Sequence, residues 1–333
     1  MLTDRQKAIL KLIVKEYIKL AHPVSSNLIC DTLNCSSATV RNEMMALEEL
    51  GLLEKTHTSS GRIPSEKGYR YYVDNLMETS ELDSKDTYKL QTIFNNQQLA
   101  LSDVLKQSLQ IVSEMTNYTS IVLDEKSHEN KLKEINVVPI SENQIVVVVV
   151  TDKGYVNNKT ITLNNVSLEE VKKTVKLIND LIVGTPIDEV NSKLEFEIKP
   201  IIGKYVEQHE VLYNAFYDVF SDMTSKSVNV VGKNNILKHK EFNDLSKVRN
   251  IFDKLDNEER LLNIEEKNND INIYIGHEND LDDDVTVIKT NYQTDKDNGT
   301  IAIIGPKRME YSRVVNLLDY IKKQIEREQD GRK

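Results

Sequence analysis

Hydrophobic residues recur every three or four positions through the first fifty residues, which is the period of amphipathic helices. Three stretches carry this pattern in succession, at residues 3–20, 25–33 and 36–50. Thr3 and Gln6 have the spacing of a capping box, and Gly51 is placed to end the third stretch. The pattern therefore predicts that the chain opens with three helices.

After the third helix the pattern changes to short runs separated by turn residues. Two predicted strands, 52–57 and 62–65, enclose a tight turn in which Gly61 offers a positive φ. A helix follows at 68–77, with Arg70 on its exposed side. Three helices followed by a hairpin is the order of a winged helix-turn-helix domain.

The rest of the chain alternates between strands and helices. Helical spacing is found at residues 99–116, 167–184, 199–223, 247–265 and 309–326. Strand patterns are found at residues 119–123, 135–140, 144–151, 158–163, 271–276, 285–292 and 299–305. This order predicts one sheet domain interrupted by an insertion. Residues 144–151 are apolar on both faces, so we expect that strand inside a sheet covered on both sides.

The length and amino-acid composition of the chain indicate the class of protein. The chain of 333 residues has room for two or three domains, and it is 39% hydrophobic and 29% charged, as soluble globular proteins are. Its longest apolar run, 145–150, is too short to cross a bilayer, and Asp4 and Lys7 make the first residues unlike a signal peptide. Cys30 and Cys35 are too few for a disulfide framework or a four-ligand zinc site. We expect buried thiols in a cytoplasmic protein.

The net charge of −10 argues at first against a nucleic-acid partner, but the charge is unevenly distributed. Residues 1–75 hold ten Lys and Arg against nine Asp and Glu, so the acidic excess lies in the remainder of the chain. A near-neutral N-terminal region can still bind DNA, because the local field matters more than the total charge.

Residues 36–50 carry the candidate chemistry. On a helical wheel, Val40, Met44 and Leu47 share one side. The opposite side presents a set that we call the outward row: Ala38, Arg41, Asn42, Met45 and Glu49. Arginine suits guanine O6 and N7, asparagine suits adenine N6 and N7, and small methyl groups suit the thymine methyl. The outward row therefore has the side chains that read base edges.

Phosphate contacts are predicted at two places beside the outward row. The N-terminus of the helix, where free N–H groups favour phosphate, carries Ser36, Ser37 and Thr39. The hairpin adds Lys55, His57, Ser59 and Arg62, of which the two cations suit phosphate or the minor groove. Periodicity alone equally fits a solvated face of an ordinary helix. The preceding helix-turn unit and the following hairpin favour DNA binding.

Two long segments then resemble a known family. They are SSATVRNEMMALEELGLLEKTHTSSGRIPSEKGYRYYVD (36–74) and GTIAIIGPKRMEYSRV (299–314), which resemble HrcA, a family of bacterial heat-inducible transcription repressors. Their order agrees with the family, so the resemblance covers essentially the whole chain. It implies a winged-helix DNA-binding domain, a GAF-like domain and an inserted dimerisation domain.

The expected fold class is α+β multidomain: an N-terminal winged helix-turn-helix, a GAF-like α/β sheet domain and an inserted helical dimerisation domain. We assign residues 1–77 to the winged helix (hereafter the head), 78–98 to a linker, 99–154 with 231–333 to the GAF-like domain, and 155–230 to the insertion. The linker is polar and hinge-like, although Ser84 and Thr87 have the spacing to start a helix that ends before Asn95. The dimer contacts predicted from apolar helical faces of the insertion are Ile178, Ile182, Val211, Leu212 and Phe216.

The resemblance also implies a function: repression of heat-shock chaperone operons by a homodimer bound to an inverted repeat, the CIRCE element. The GroE chaperonin is expected to modulate the repressor. A two-fold dimer matches a palindromic site. Two alternatives stay open. One is a regulator whose GAF-like domain senses a small molecule, and the other is a protein–protein adaptor, which fits the acidic total charge.

The remaining motifs are weaker. Asp280, Asp282 and Asp284 alternate as in a calcium loop, but the glycine and glutamate that such a loop needs are missing. Lys307 and Arg308 precede the last helix, where they suit capping, anion binding or contact with the head. No HExxH, GxSxG, GxGxxG or GxxxxGK motif occurs, so we expect no metal, no cofactor and no enzymatic activity.

Overall fold

The structure is a computed structural model, and it describes residues 2–56, 61–78, 82–96, 101–125, 130–152, 154–162, 167–201, 209–224, 227–257, 270–294 and 298–327. The chain divides into two compact units. The first contains Met1–Leu123, Val228–Gln293 and Gly299–Lys333, and the second contains Asp124–Ser227 and Thr294–Asn298. No described helix combines the length and the apolar character that crossing a membrane requires.

In chain order the elements are α1 (Asp4–Leu20), α2 (Ser26–Leu33), α3 (Ser37–Glu49), β1 (Leu53–Lys55), β2 (Arg62–Pro64), α4 (Glu66–Asn75), α5 (Ser84–Phe94), α6 (Leu101–Thr116), β3 (Thr119–Glu125), β4 (Leu132–Ser141), β5 (Gln144–Thr151), β6 (Val156–Thr162), α7 (Leu168–Ile182), α8 (Ile187–Lys193), α9 (His209–Thr224), β7 (Ser227–Val231), α10 (Leu245–Leu255), β8 (Asn272–Ile275), β9 (Val285–Gln293), β10 (Asn298–Pro306) and α11 (Tyr311–Arg327). A π-helical turn, Leu194–Ile198, follows α8. Short 3₁₀ turns lie at Lys233–Lys238, Lys240–Phe242 and Gly276–Glu278.

The head has the predicted three helices, hairpin and fourth helix. At the start of α1 the capping box is closed: Thr3 Oγ1 accepts from the Gln6 N–H at 3.2 Å, and Gln6 Oε1 accepts from the Thr3 N–H at 3.0 Å. Ile9 and Ile13 of α1 are fully buried. Each such side chain contributes about 1.5–3 kcal/mol of hydrophobic stabilisation, so α1 is the central packing element of the head.

The first unit also contains a five-stranded sheet in the order β7-β3-β10-β9-β8. Nearly all residues of β9 and β10 are buried, because the sheet is covered on both faces. Ile288 and Ile303 pack into the apolar cluster that α6, α11 and the head share, whereas Val287 and Ile304 pack into a second cluster with α10. The core of the head is therefore continuous with the core beneath the sheet.

The second unit is a three-stranded antiparallel sheet, β4-β5-β6, with helices on one face. Ile145, Val147 and Val149 of β5 are buried against α7, α8 and α9, while the alternating valines are only half-buried. The prediction that this strand is covered on both faces was wrong. The helices cover a single face of the sheet, and β-branched valine suits a half-exposed strand as well as a buried one.

The predicted domain limits need two corrections. Residues 99–154 were assigned to the sheet domain, but β4 and β5 hydrogen-bond to β6 in the second unit. Conversely, β7 closes the edge of the five-stranded sheet although most of it was assigned to the insertion. The insertion thus includes its own sheet, because strands 132–162 form a continuous meander.

The predicted linker, 78–98, contains α5. Leu90, Ile93 and Phe94 are buried in the same cluster as the head. Arg313 of α11 holds Asp86 at the first turn, with Nε to Oδ2 at 2.9 Å. This segment is therefore part of the packed first unit and not a free connection.

Candidate nucleic-acid interface

Helix α3 begins and ends at defined caps. Ser36 Oγ accepts a hydrogen bond from the Thr39 N–H at 3.2 Å. At the other end Gly51 has a φ of +72° and its N–H donates to Glu48 O at 2.8 Å, while the Leu52 N–H donates to Leu47 O at 2.9 Å. These are the two bonds of a Schellman motif, which needs a residue free to adopt the left-handed conformation. The caps make α3 a well-defined support for its side chains.

The two faces of α3 differ as predicted. Val40 and Leu47 are fully buried and Met44 is 3% exposed, so this face packs on the core of the head. All five members of the outward row are exposed. Met45 is 52% exposed, which leaves a large apolar side chain beside the arginine and the asparagine. Such a row offers charge, amide groups and apolar surface to one ligand.

A polar network links the outward row to α2. Arg41 Nε donates to Ser26 Oγ at 3.3 Å, and Ser26 Oγ lies 3.1 Å from Ser37 Oγ. Ser37 Oγ in turn donates to Asn27 Oδ1 at 3.1 Å. Sequence reasoning missed Ser26 and Asn27, because no local spacing connects them with α3. Ser26 is 8% exposed, so the network is anchored inside the head.

The hydroxyls at the start of α3 already have partners. Besides capping the helix, Ser36 Oγ lies 2.9 Å from Thr39 Oγ1. Ser37 belongs to the network with α2. The side-chain oxygens therefore stabilise the helix terminus, and an approaching phosphate would find backbone N–H groups of the first turn.

The hairpin is held against the connection between α1 and α2. Val24 and Arg62 exchange both backbone N–H to O bonds, each at 2.9 Å. A Cβ at Gly61 would lie 2.8 Å from Pro23 Cβ, closer than real Cβ atoms come. Gly61 does not take the positive φ predicted for it. The close approach to Pro23, and not a positive φ, explains why position 61 is a glycine.

The two cations of the hairpin lie opposite each other but differ in their surroundings. Lys55 is exposed and forms no ion pair with any other described residue. The Arg62 side chain is only 12% exposed, and its Nε and Nη2 lie 2.8 and 2.7 Å from Glu48 Oε2. Glu48 therefore already pairs with Arg62, and the phosphate contact predicted for Arg62 stays a prediction. His57 and Ser59 lie outside the described residues.

Within the first unit, Arg70 bonds to the edge of the five-stranded sheet. It was predicted to be exposed, but its Nε donates to Glu278 Oε1 at 3.0 Å and its Nη2 donates to Ile273 O at 2.6 Å. Burial alone lowers the pKa of Arg70, but Glu278 and Asp74 outweigh burial and raise that pKa above its ordinary value. Arg70 therefore stays charged where α4 meets β8.

The segment before α11 makes a second such contact. Arg308 bonds to the Glu241 carboxylate, and its Nη1 donates to Ile18 O at 3.5 Å, near the end of α1. Of the roles open for Arg308, contact with the head is the one found. Lys307 Nζ lies 3.3 Å from Asp284 Oδ1. Both cations are thus engaged within the protein.

The acidic segment 280–284 is also engaged. Lys247 Nζ lies 3.2 Å from Asp282 Oδ1 and also bonds to Asp284, whereas Asp280 is exposed. Burial raises the pKa of Asp284, but Lys247 and Lys307 outweigh burial and lower it overall. Among the described residues no group of three or more His, Cys, Asp or Glu is arranged to hold a metal ion.

The residues predicted as dimer contacts have a different environment. Ile178, Ile182 and Phe216 are buried in the core of the second unit in a single chain. Their prediction as a free contact surface needs correction, because the sheet β4-β5-β6 already covers these helical faces. Val211 and Leu212 belong to α9, but their side chains are outside the described part of the structure.

Comparison with known proteins places both parts of the chain in one family. Residues 1–76 match the family described as "Winged helix-turn-helix transcription repressor, HrcA DNA-binding", and residues 102–315 match "HrcA protein C terminal domain". The two matches together span most of the chain.

One solved structure agrees with the fold. A hypothetical protein with a crystal structure at 2.2 Å is 25% identical, with 100% of both chains covered and a TM-score of 0.71. HmgR from Pseudomonas aeruginosa (9% identical, 98% and 96% covered) and IclR from Thermotoga maritima (13% identical, 96% of each covered) both have a TM-score of 0.22, which supports no conclusion. The chain therefore belongs to the HrcA family and is a DNA-binding heat-shock transcription repressor, not an enzyme.

Proposed function

We propose that this repressor binds an inverted-repeat operator, the CIRCE element, as a homodimer and so represses chaperone operons in the cytoplasm. The observation that carries the DNA-binding part is the outward row, which stays exposed while Val40, Met44 and Leu47 on the opposite face of α3 are buried. The operator and the operons are supported by family membership.

In this proposal α3 enters the major groove. Arg41 and Asn42 face base edges, since guanidinium and amide groups match the acceptor and donor patterns of guanine and adenine. The apolar side chains of Ala38 and Met45 contact a thymine methyl group. The backbone N–H groups at the start of α3 face a phosphate, and Lys55 lies near the DNA backbone.

The dimer is proposed to form through the second unit. Val138 is 53% and Val156 is 60% exposed, and both lie on the open face of the three-stranded sheet beside the half-buried valines of β5. These valines form an apolar stripe along β5 that Asn136 and Asn158 flank on the same face, and such an exposed apolar stripe with polar neighbours is a candidate contact surface. A second copy of the chain is the occupant that fits, because a two-fold operator calls for a two-fold protein.

Val138→Lys tests the dimer surface by placing a charge on this face. We expect a shift from dimer to monomer in analytical ultracentrifugation of the full-length protein. Leu245→Lys is the matched control, since Leu245 is 83% exposed in the other unit. A dimer that tolerates Val138→Lys as well as it tolerates Leu245→Lys would assign dimerisation to another surface.

Modulation by the GroE chaperonin is proposed from family membership alone. A titration of an inverted-repeat duplex and a scrambled duplex, each with and without chaperonin, tests the whole proposal. We expect specific binding to be at least about 10³-fold tighter than binding to the scrambled duplex, and chaperonin to raise the active fraction. Equal affinity for both duplexes would contradict operator recognition, and an unchanged active fraction would contradict the chaperonin part alone.

A further inference from the structure

We propose that Ser26 of α2 is a positioning residue that sets the base preference of Arg41. This inference rests on the proposed function, in which Arg41 reads a base edge. It assigns part of the specificity to a nearly buried side chain that lies outside the outward row and contacts no base itself.

The hydrogen bonds of the network have a defined direction. A serine hydroxyl has one hydrogen to donate, and Ser37 Oγ donates its hydrogen to Asn27 Oδ1 at 3.1 Å. In the 3.1 Å contact between the two serines, Ser26 must then donate to Ser37. The oxygen of Ser26 is thereby left to accept from Arg41 Nε, at 3.3 Å. The chain of bonds therefore runs from Arg41 through Ser26 and Ser37 to Asn27.

This arrangement uses one N–H of the guanidinium and leaves the others. Within the described residues, Nη1 and Nη2 of Arg41 have no hydrogen-bond partner. Recognition of guanine O6 and N7 is bidentate and needs two N–H groups in one plane. Fixing Nε on Ser26 orients that plane before DNA arrives and reduces the rotamer freedom that binding would otherwise remove.

The anchor is itself held in place. Ser26 lies in the first turn of α2 and is 8% exposed, and its backbone oxygen accepts from Cys30 Sγ at 2.9 Å. A freely rotating surface serine would restrain nothing. Ser26 is nearly buried, its hydroxyl bonds to Ser37 and Arg41 of α3, and its backbone oxygen bonds within α2. It can therefore hold the arginine at a fixed angle to α3.

The test is a double-mutant cycle in the full-length protein with Ser26→Ala, Arg41→Ala and the double variant. Affinities are measured for the inverted-repeat duplex and for duplexes substituted at each base pair of the half-site. The pair at which Arg41→Ala loses its preference identifies the base that Arg41 reads. We expect Ser26→Ala to reduce discrimination at that same pair by about fivefold, the net effect of one hydrogen bond, with the salt dependence unchanged.

Two further variants separate positioning from folding. Ser26→Thr retains the hydroxyl and should restore the preference, whereas a purely structural role would leave it reduced. Ser25→Ala is the matched control, because the neighbouring hydroxyl makes no cap hydrogen bond in the described structure of α2. It should leave discrimination unchanged.

The outcomes are distinguishable. If Ser26→Ala lowers discrimination only at the Arg41 pair and adds nothing in the Arg41→Ala background, the inference holds. If Arg41→Ala changes one pair but Ser26→Ala weakens all duplexes equally or has no effect, the positioning role is overturned and the proposed function stands. If Arg41→Ala itself changes no base preference, both are overturned.

Discussion

Lys55 and Arg62 show how two cations on opposite positions of one hairpin come to have different roles. Like charges directly opposite each other destabilise a strand pair, and Glu48 removes this repulsion by binding Arg62. The exposed lysine keeps its full charge for an external anion. The difference arises from α3, which supplies the carboxylate.

We expect Lys55→Ala and Arg62→Ala to affect different measurements. Lys55→Ala should reduce the slope of log affinity against log salt by about 0.9, the value of one phosphate contact, without changing the free energy of unfolding. Arg62→Ala should lower the free energy of unfolding by about 1.5–3 kcal/mol, because it removes a charge-assisted hydrogen bond that is largely shielded from water.

Salt titrations and urea unfolding of both variants check this expectation. The contrary result would be a reduced salt slope for Arg62→Ala at unchanged stability, and it would favour the phosphate contact predicted for Arg62.

For single residues, the sequence predicts which face of a helix a side chain lies on better than it predicts the hydrogen-bond or ion-pair partner of that side chain. The buried and exposed sides of α3 follow from a local 3.6-residue period, so Val40 and Arg41 could be assigned from spacing alone. The bond between Arg41 and Ser26 joins residues 15 positions apart on two helices, and the ion pair of Arg62 joins positions 14 apart. Neither follows from a period, because each depends on how the helices pack.

Among the elements, α5 differs most from its expected character. The segment is polar on its exposed side and was predicted to be a linker, yet Leu90 is completely buried and Tyr88 is 73% exposed. Its short apolar face is complemented by α6, the next helix, and by α11, which lies far along the chain. The amino-acid composition of this segment averages its polar and apolar faces, so it does not reveal the buried face of α5.

Leu90→Ala should lower the free energy of unfolding by about 2–5 kcal/mol, the usual range for a buried leucine. Tyr88→Ala, two positions away on the exposed side, should change it by about 0.5 kcal/mol or less. Urea unfolding measures both. Similar small effects of the two substitutions would mean that the segment is the flexible linker the sequence suggested.

The strands illustrate the same limit. The valine run of β5 indicated a strand but not its partners, because valine fits strands covered on one face or on both. Its pairing with β4 and β6 follows from short connections, which favour antiparallel neighbours. The doubly covered positions belong instead to β9 and β10.

On the scale of the first unit, the head and the five-stranded sheet share one apolar cluster and several polar bonds. The ring centroids of Tyr69 and Tyr72 in α4 lie 6.0 and 6.4 Å from the ring centroid of Tyr311. Arg70 and Arg308 add bonds at two other places. Arg308 and Tyr311 lie within the segment 299–314, so this segment contributes directly to the contact between the head and the sheet.

Arg70→Ala should therefore lower the free energy of unfolding by about 1–3 kcal/mol, because Glu278 and a backbone carbonyl lose their donor. Asp74→Ala, which removes only the exposed partner of the same arginine, should cost about 0.5 kcal/mol or less. Hydrogen exchange should show faster opening of α4 and β8 in Arg70→Ala alone. Equal behaviour of the two variants would show that Arg70 does not join the head to the sheet.

Arg41→Ala shows whether the exposed face of α3 reads bases. The measurement is the ratio of affinities for the inverted-repeat and scrambled duplexes, with Arg249→Ala, an exposed arginine of α10, as the control. We predict that Arg41→Ala lowers this ratio by about tenfold or more and that Arg249→Ala leaves it unchanged. An undiminished ratio in Arg41→Ala would mean that this face of α3 does not read bases.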